Sequence, residues 1–476
     1  MLTRRELSKL FVFGGASLSA LGSVLASAEA SRWLDADQII SATAYPDIPE
    51  RLFRVEDFGA DADDTTDCSN SISKAIAAAS LAGGGVIVFS QGVYRTGPIH
   101  LESRIALQID QGSTLRFSTN PDDYLPPVFT RWEGMELMGY SPLIYGRNLQ
   151  DVAVRGGGTL DGGADNQTWW PWKGPHSEAH WELVEGEDQK PARTALFDMA
   201  ERGVAPRERV FADGAFLRPP FIQFYGCERV LIEGVKIVRA PFWLIHPVLC
   251  SDVRVRGVHC FSHGPNSDGC DPESCNRVVI EDCLFDTGDD CIALKSGRNN
   301  DGRRLNVPCQ NVVVQNCHMK EGHGGVVVGS EISGGVANLH VRNCKMDSPH
   351  LERAIRIKTN AQRGGLIEHL RYDNIEIGAV KDVFVVNFFY EEGRDGPFLP
   401  IVRDVAISNL SVDRANRLFN LRGFEDSPMF DIRLANWLVR SAAEIGPVEQ
   451  IRDLSLAQVN VAGVDLSLLD LGVGEP

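Results

Sequence analysis

Seven short segments in the second half of the chain repeat one pattern. They read VLIEGVKI from Val230, VRVRGVHC from Val253, VVIEDCLF from Val278, VVVQNCHM from Val312, LHVRNCKM from Leu339, LRYDNIEI from Leu370 and VAISNLSV from Val405. Each alternates apolar residues with residues of any kind, places a small turn former or Asn/Asp fifth, and then resumes with an apolar residue. Alternation of period two is that of a half-buried strand. The starts are 23, 25, 34, 27, 31 and 35 residues apart, and repeats of about 20–50 residues signal solenoids, propellers or arrays. A unit of short strands and turns cannot bury its inward face alone, so neighbouring units must stack. A propeller needs four strands per repeat and a longer period. Uneven spacing fits coils of constant cross-section with side loops of variable length. The expected fold is therefore all-β, a parallel β-helix.

The cysteines follow from the repeat. There are 11, an odd number, with no C-x-x-C, and ten lie between Cys227 and Cys344. Cys283, Cys317 and Cys344 occupy one position of three successive units. Strands stack about 4.8 Å apart, which suits an inward ladder of small apolar side chains, and a free cysteine behaves as one. Buried free thiols are expected.

The ends and one interruption complete the organisation. Arg4-Arg5, a weakly apolar run from Leu10 to Leu25 and the small residues of ASAEA at 26–30 have the order of an export signal. The arginine pair gives it a twin-arginine character, with a general secretory signal as the alternative. This segment carries Arg4, Arg5 and Lys9 against Glu6 and Glu29, so the formal charge of −17 becomes −18 once it is removed. Residues 31–51 read as a linker and 52–476 as a single β-helix domain. Within it, Ile72, Ala75, Ile76 and Ala79 recur at helical spacing before the glycines from Gly83, a short amphipathic helix placed to cap the first open edge. Residues 165–215, with TWWPWKG, break the rhythm as a long inserted loop with some helix. No other apolar stretch is long enough to span a bilayer. An exported bacterial protein is expected, periplasmic or secreted, with no membrane anchor after signal removal. An acidic chain argues against nucleic acid as a partner, and nothing implies a cofactor or a metal. A monomer is expected.

The chemistry lies where each unit begins its second strand. One unit has NSDGCD with Asp268, the next TGDDCIALKSG with Asp289 and Asp290, the next GHGGVVVGS with His323, and the next AIRIKT with Arg356 and Lys358. Gly-Asp pairs often make turns, but stacking places this Asp, Asp-Asp, His and Arg/Lys series on one face. Arg356 and Lys358 share a parity around Ile357, so they point to one side of the strand as a cationic pair suited to a carboxylate. CDPESC at 270–275 lacks the spacing of a metal site.

In this order and on this repeat, NSDG, GDD, GHG and RIK resemble glycoside hydrolase family 28, the polygalacturonase and rhamnogalacturonase family. DFGADADDTTD, GGGVIVFSQGVY and GTLDG extend the resemblance over about residues 52–415, and the long form of the GDD and GHG segments is similar to a bacterial, often exo-acting branch. Ser267 stands where the family usually has Thr. The resemblance implies a right-handed β-helix and inverting hydrolysis of galacturonic acid linkages in a pectic polysaccharide or oligogalacturonide. One carboxylic acid then protonates the leaving oxygen while other carboxylates activate water. It implies Asp289 as general acid, Asp268 and Asp290 as the water-activating pair, His323 as support, and Arg356, Lys358 and Tyr390 as substrate contacts. Repulsion among adjacent carboxylates keeps a proton on one of them, which predicts an acidic optimum. Trp169, Trp170 and Trp172 read either as sugar platforms or as packing, and Asn299, Asp301 and Arg303 as loop formers. A Ca²⁺-dependent pectate lyase, using the acidic row as a metal site, and a noncatalytic carbohydrate-binding β-helix are the alternatives. Homogalacturonan and rhamnogalacturonan both stay open as substrates.

Overall fold

The computed structural model describes residues 33–176 and 180–468; the expected export signal lies outside them. The chain forms a right-handed parallel β-helix. The seven segments stack in the register that their pattern implies. Val230 pairs with Val253, then Val278, Val312, Leu339, Leu370 and Val405 follow in one column. The column extends one way through Val152 and Ile105 and the other through Ile432 and Leu454.

The turn residue of each unit has a conformational cause. Gly234, Gly257, Asp282, Asn316, Asn343, Asn374 and Asn409 all have positive φ, which only Gly, and to a lesser degree Asn and Asp, adopt at small cost. The asparagines also bond along the stack, Asn374 Nδ2 donating to Asn343 Oδ1 at 2.8 Å. The next residue of each unit then points inward. Val235, Val258, Cys283, Cys317, Cys344, Ile375 and Leu410 are all buried. All eleven cysteines are free and buried. A second cysteine column, Cys227, Cys250, Cys275 and Cys309, immediately precedes the paired residues Glu228, Ser251, Asn276 and Gln310.

The helix Ser69–Leu81 caps the first coils, burying Ile72, Ala75, Ile76 and Ala79. Residues 33–51, expected as a linker, are a strap laid across the coils. Its helix Ala36–Ala42 opens with a capping box between Asp35 and Gln38. Ile39 and Ile40 pack on Val313; farther along, Arg254 donates to the Thr43 and Ile40 carbonyls, Asp47 accepts from Arg104, and Ile48 covers Val86, Ala106 and Leu231. Its pattern is too short to register as periodic, and only the stacked sheet supplies its partner. Ile39 is fully buried, so Ile39→Ala is expected to destabilise the strap by about 2–5 kcal/mol. Hydrogen exchange should show residues 36–43 opening more often; unchanged protection there would mean that the strap is held by its polar contacts alone.

One sheet carries the site. It runs through Ile99–His100, Ile144–Arg147 and Ile222–Tyr225, continues by single bridges through Ile245 and Cys270, and reaches Ile292–Leu294, Val326–Val328 and Arg353–Lys358. The interruption at 165–215 contains the 3-10 turn Trp170–Lys173, the helix Gln189–Glu201 and the strand Val210–Phe211. That last strand joins a hairpin of Val128–Trp132 and Met135–Gly139, a second excursion that the repeat pattern did not reveal.

Candidate active site

Backbone pairing brings the expected residues together. Gly269 N donates to Asp290 O at 2.9 Å, Cys291 N to Gly324 O at 2.8 Å, and His323 N to Asp289 O at 3.1 Å. Asp268, Asp290 and Gly324 therefore sit in successive rungs, with Asp289 and His323 one residue earlier. Asp268, Asp289 and Asp290 each offer an oxygen within 4.8 Å of the others. Gly324 clears the space over Asp290. A Cβ there would stand 3.1 Å from Asp290 Oδ1 and 3.6 Å from Arg356 Cδ, in the path between the two side chains.

The cationic pair is engaged from within. Lys358 Nζ lies 2.6 Å from Asp290 Oδ2 and Arg356 Nη1 lies 3.3 Å from Asp290 Oδ1, with Asp290 fully buried. Tyr390 lies beside them, its ring centroid 5.3 Å from Lys358 Nζ and 5.6 Å from the Arg356 guanidinium carbon. Asp289 Oδ1 meets His323 Nδ1 at 3.0 Å. The Asp289 charge pushes this imidazole up to about 9, against its burial. Burial works to raise Asp289, but His323, Lys358 and Lys295 together hold its carboxyl well below the usual range. Burial, with Asp271 and Asp289 nearby, pushes Asp268 well above that range. Burial and neighbouring charge thus act unequally on the row: Asp268 is pushed up, Asp289 is held down, and the His323 imidazole beside Asp289 is pushed up.

Several site residues were not singled out from the sequence. Lys295, 2% exposed, stands 3.3 Å from Glu331 and 3.7 Å from Asp268, and 4.3 Å over the Trp243 ring. It shares the parity of Ala293 in the strand after the aspartates, which was a legible signal. Arg298 binds Glu331 at 3.3 Å and Glu391 at 3.0 Å. The excursions supply the remaining wall: Glu133 from the hairpin, held by Arg193 at 2.8 Å, and Lys173 from the 3-10 turn. Together they enclose a pocket of 230 Å³ that includes Asp268, Asp289, His323, Arg356, Lys358 and Tyr390. On the other side of Gly288 and His323 opens a cleft of 570 Å³, lined by Trp170, Trp181, His263 and His350 among others.

Trp169 and Trp172 are buried and pack on each other with ring centroids 4.9 Å apart. Asn299, Asp301 and Arg303 belong to the short helix Asn299–Leu305, where Asp301 binds the buried Arg209 at 3.0 Å.

Residues 213–416 match the model of glycosyl hydrolases family 28, and residues 52–117 that of rhamnogalacturonase A/epimerase, pectate lyase-like. A hyperthermoactive exopolygalacturonase from Thermotoga maritima superposes with a TM-score of 0.83 at 40% identity, over 90% of this chain and 96% of that one. A probable polygalacturonase of Vitis vinifera is 24% identical over 374 residues, 76% of this chain and 68% of its own. An exo-poly-alpha-D-galacturonosidase of Dickeya chrysanthemi is 25% identical over 64% of this chain and 51% of its own.

Proposed function

The chain belongs to glycosyl hydrolases family 28, and we propose that it removes terminal galacturonic acid from pectic chains by inverting, single-displacement hydrolysis. The observation that carries this reading is the Asp289–His323 pair set 4.8 Å or less from two other carboxylates at the junction of a small pocket and a wide cleft. The pocket, at 230 Å³, is smaller than the about 300–1,000 Å³ that holds drug-sized ligands. It suits one sugar, and the cleft suits the rest of the chain. Walls from the two excursions close the pocket, which favours exo action.

The proton inventory gives each group a role. The leaving oxygen takes its proton from Asp289, supplied across the 3.0 Å bond from His323. A bound uronate offsets the charges of Lys358 and Lys295 that hold Asp289 ionised, and so lets the proton move to the carboxyl. Asp268 and Asp290 hold the attacking water, and the proton it gives up as it attacks passes to the Asp290 carboxylate, the one paired with Arg356 and Lys358. Asp290 has both oxygens engaged by cations, and burial pushes Asp268 well above the usual carboxylate range; both features weaken them as covalent nucleophiles and favour direct attack by water. The carboxylates stand closer than the about 6.5–9.5 Å of most inverting pairs, so the water must lie beside them rather than between distant groups. A lyase site would need 6–8 oxygen ligands around Ca²⁺, and here Arg356, Lys358 and Lys295 crowd the same carboxylates with positive charge.

The test is a product profile on saturated oligogalacturonides and rhamnogalacturonan oligosaccharides with chelator present. Products that each gain one water, with monomeric galacturonate from the first time point and the β-anomer formed first by NMR, are expected. Unsaturated products, or none until Ca²⁺ is restored, would replace this reading with the lyase. The pH profile is a separate check. His323 is raised, so its pair with Asp289 is fully formed below the ordinary histidine value and lost as pH rises through about 9. The alkaline limb of kcat/KM should therefore fall near pH 9 and move in His323→Gln.

A further inference from the structure

The cations of the pocket differ in one respect. Arg356 and Lys358 are committed to Asp290, Lys295 to Glu331 and Asp268, Arg193 to Glu133, and Arg298 to Glu331 and Glu391. Lys173 has no carboxylate partner among the described residues. Its Nζ donates to the side-chain oxygen of Asn266 at 2.9 Å. The same oxygen accepts from Arg218 Nη2 at 2.8 Å. Arg218 is fully buried, and its other acceptors are the Gln189 amide and the Pro241 and Pro265 carbonyls. Two cations thus share one neutral amide oxygen, and neither is neutralised.

This arrangement is costly without an anion. Burial and the Arg218 charge both hold the Lys173 amine below its ordinary value, and burial lowers Arg218 to about 9. Glu133 and Asp289 act on both cations only at a distance. A buried charge such as that of Arg218 is normally paired, and the group that can approach the half-buried Lys173 is whatever occupies the pocket that it lines.

We propose that Lys173, carried into the pocket by the inserted segment and backed by Arg218 through Asn266, binds the carboxylate of the terminal uronic acid and so selects acidic over neutral sugars. This rests on the galacturonan reading above and adds a carboxylate contact within the pocket that Arg356 and Lys358 also line. It also gives the insertion a chemical purpose besides closing the pocket. An ammonium on a flexible stem suits a single-point contact with a carboxylate.

The experiment compares Lys173→Met and Lys173→Arg with the wild type on trigalacturonate, with galacturonate and galactose as competing inhibitors. Lys173→Met is expected to raise KM and the galacturonate inhibition constant by about tenfold, the worth of one charge-assisted bond of about 1.4 kcal/mol. Its kcat and its inhibition by galactose should change little, and Lys173→Arg should restore most of the galacturonate affinity. Unchanged galacturonate inhibition in Lys173→Met overturns the inference. So does an equal weakening toward galactose, since loss of the Asn266 tether alone would not distinguish the two sugars. A wild type that fails to hydrolyse trigalacturonate overturns the functional reading itself, and the inference with it.

Discussion

Asp289→Asn is expected to lower kcat by about 10²–10⁴-fold, the usual contribution of a positioned general acid, while substrate still binds. The amide keeps the shape of the side chain and its acceptor oxygen for the Asp290 amide hydrogen. It removes the atom that carries the proton to the leaving group. It also removes the charge that raises His323, so the His323 value should fall from about 9 toward that of an ordinary histidine. NMR titration of the imidazole and turnover assays on one preparation check both. A variant that retains turnover within a few-fold of wild type would falsify the assignment of Asp289 as acid. A variant that loses turnover without moving His323 would separate the chemistry from the ion pair.

The second large effect concerns stability and catalysis together. Lys295→Met removes a cation that is 2% exposed and leaves Glu331 and Asp268 without it. Breaking a buried pair from one side costs about 3–5 kcal/mol when the other charge is left uncompensated; Arg298 still holds Glu331 at 3.3 Å, so the loss should lie toward the lower end of that range. The denaturation midpoint should fall accordingly. Asp268, pushed up already by burial, should be pushed up further and serve the water less well, with kcat reduced by about tenfold or more. Adding Glu331→Gln should recover part of the stability, since the buried carboxylate that has lost one of its two cations is then gone, but none of the rate. A double variant that recovers both would mean that Lys295 acts only as a structural counterion.

Asp289 and Asp290 were legible in the sequence because a solenoid turns sequence spacing into spatial register. Once the period is seen, the segments from Val230 to Val405 must stack, and whatever begins each second strand must align. Cys283, Cys317 and Cys344 were read as buried thiols by the same logic. Lys295 is equally legible through its parity with Ala293, but nothing in its own segment names a partner for it. The direction of each proton was another matter. Adjacent aspartates imply that one is raised, but which one depends on His323 and Lys358 reaching Asp289 and Asp290 from later coils.

The amino-acid sequence by itself determined the coil, its register and the row of acidic, histidine and basic side chains, since these follow from period, parity and turn chemistry over short distances along the chain. Only the tertiary structure decided how the pocket is closed and which cation is left without a partner. Lys173 and Glu133 come from excursions with no repeat, and Arg218 lies 45 residues beyond Lys173 with nothing in its local pattern to tie it to Asn266. Their meeting depends on how the excursions fold back over the sheet, a matter of long-range packing that periodicity does not encode.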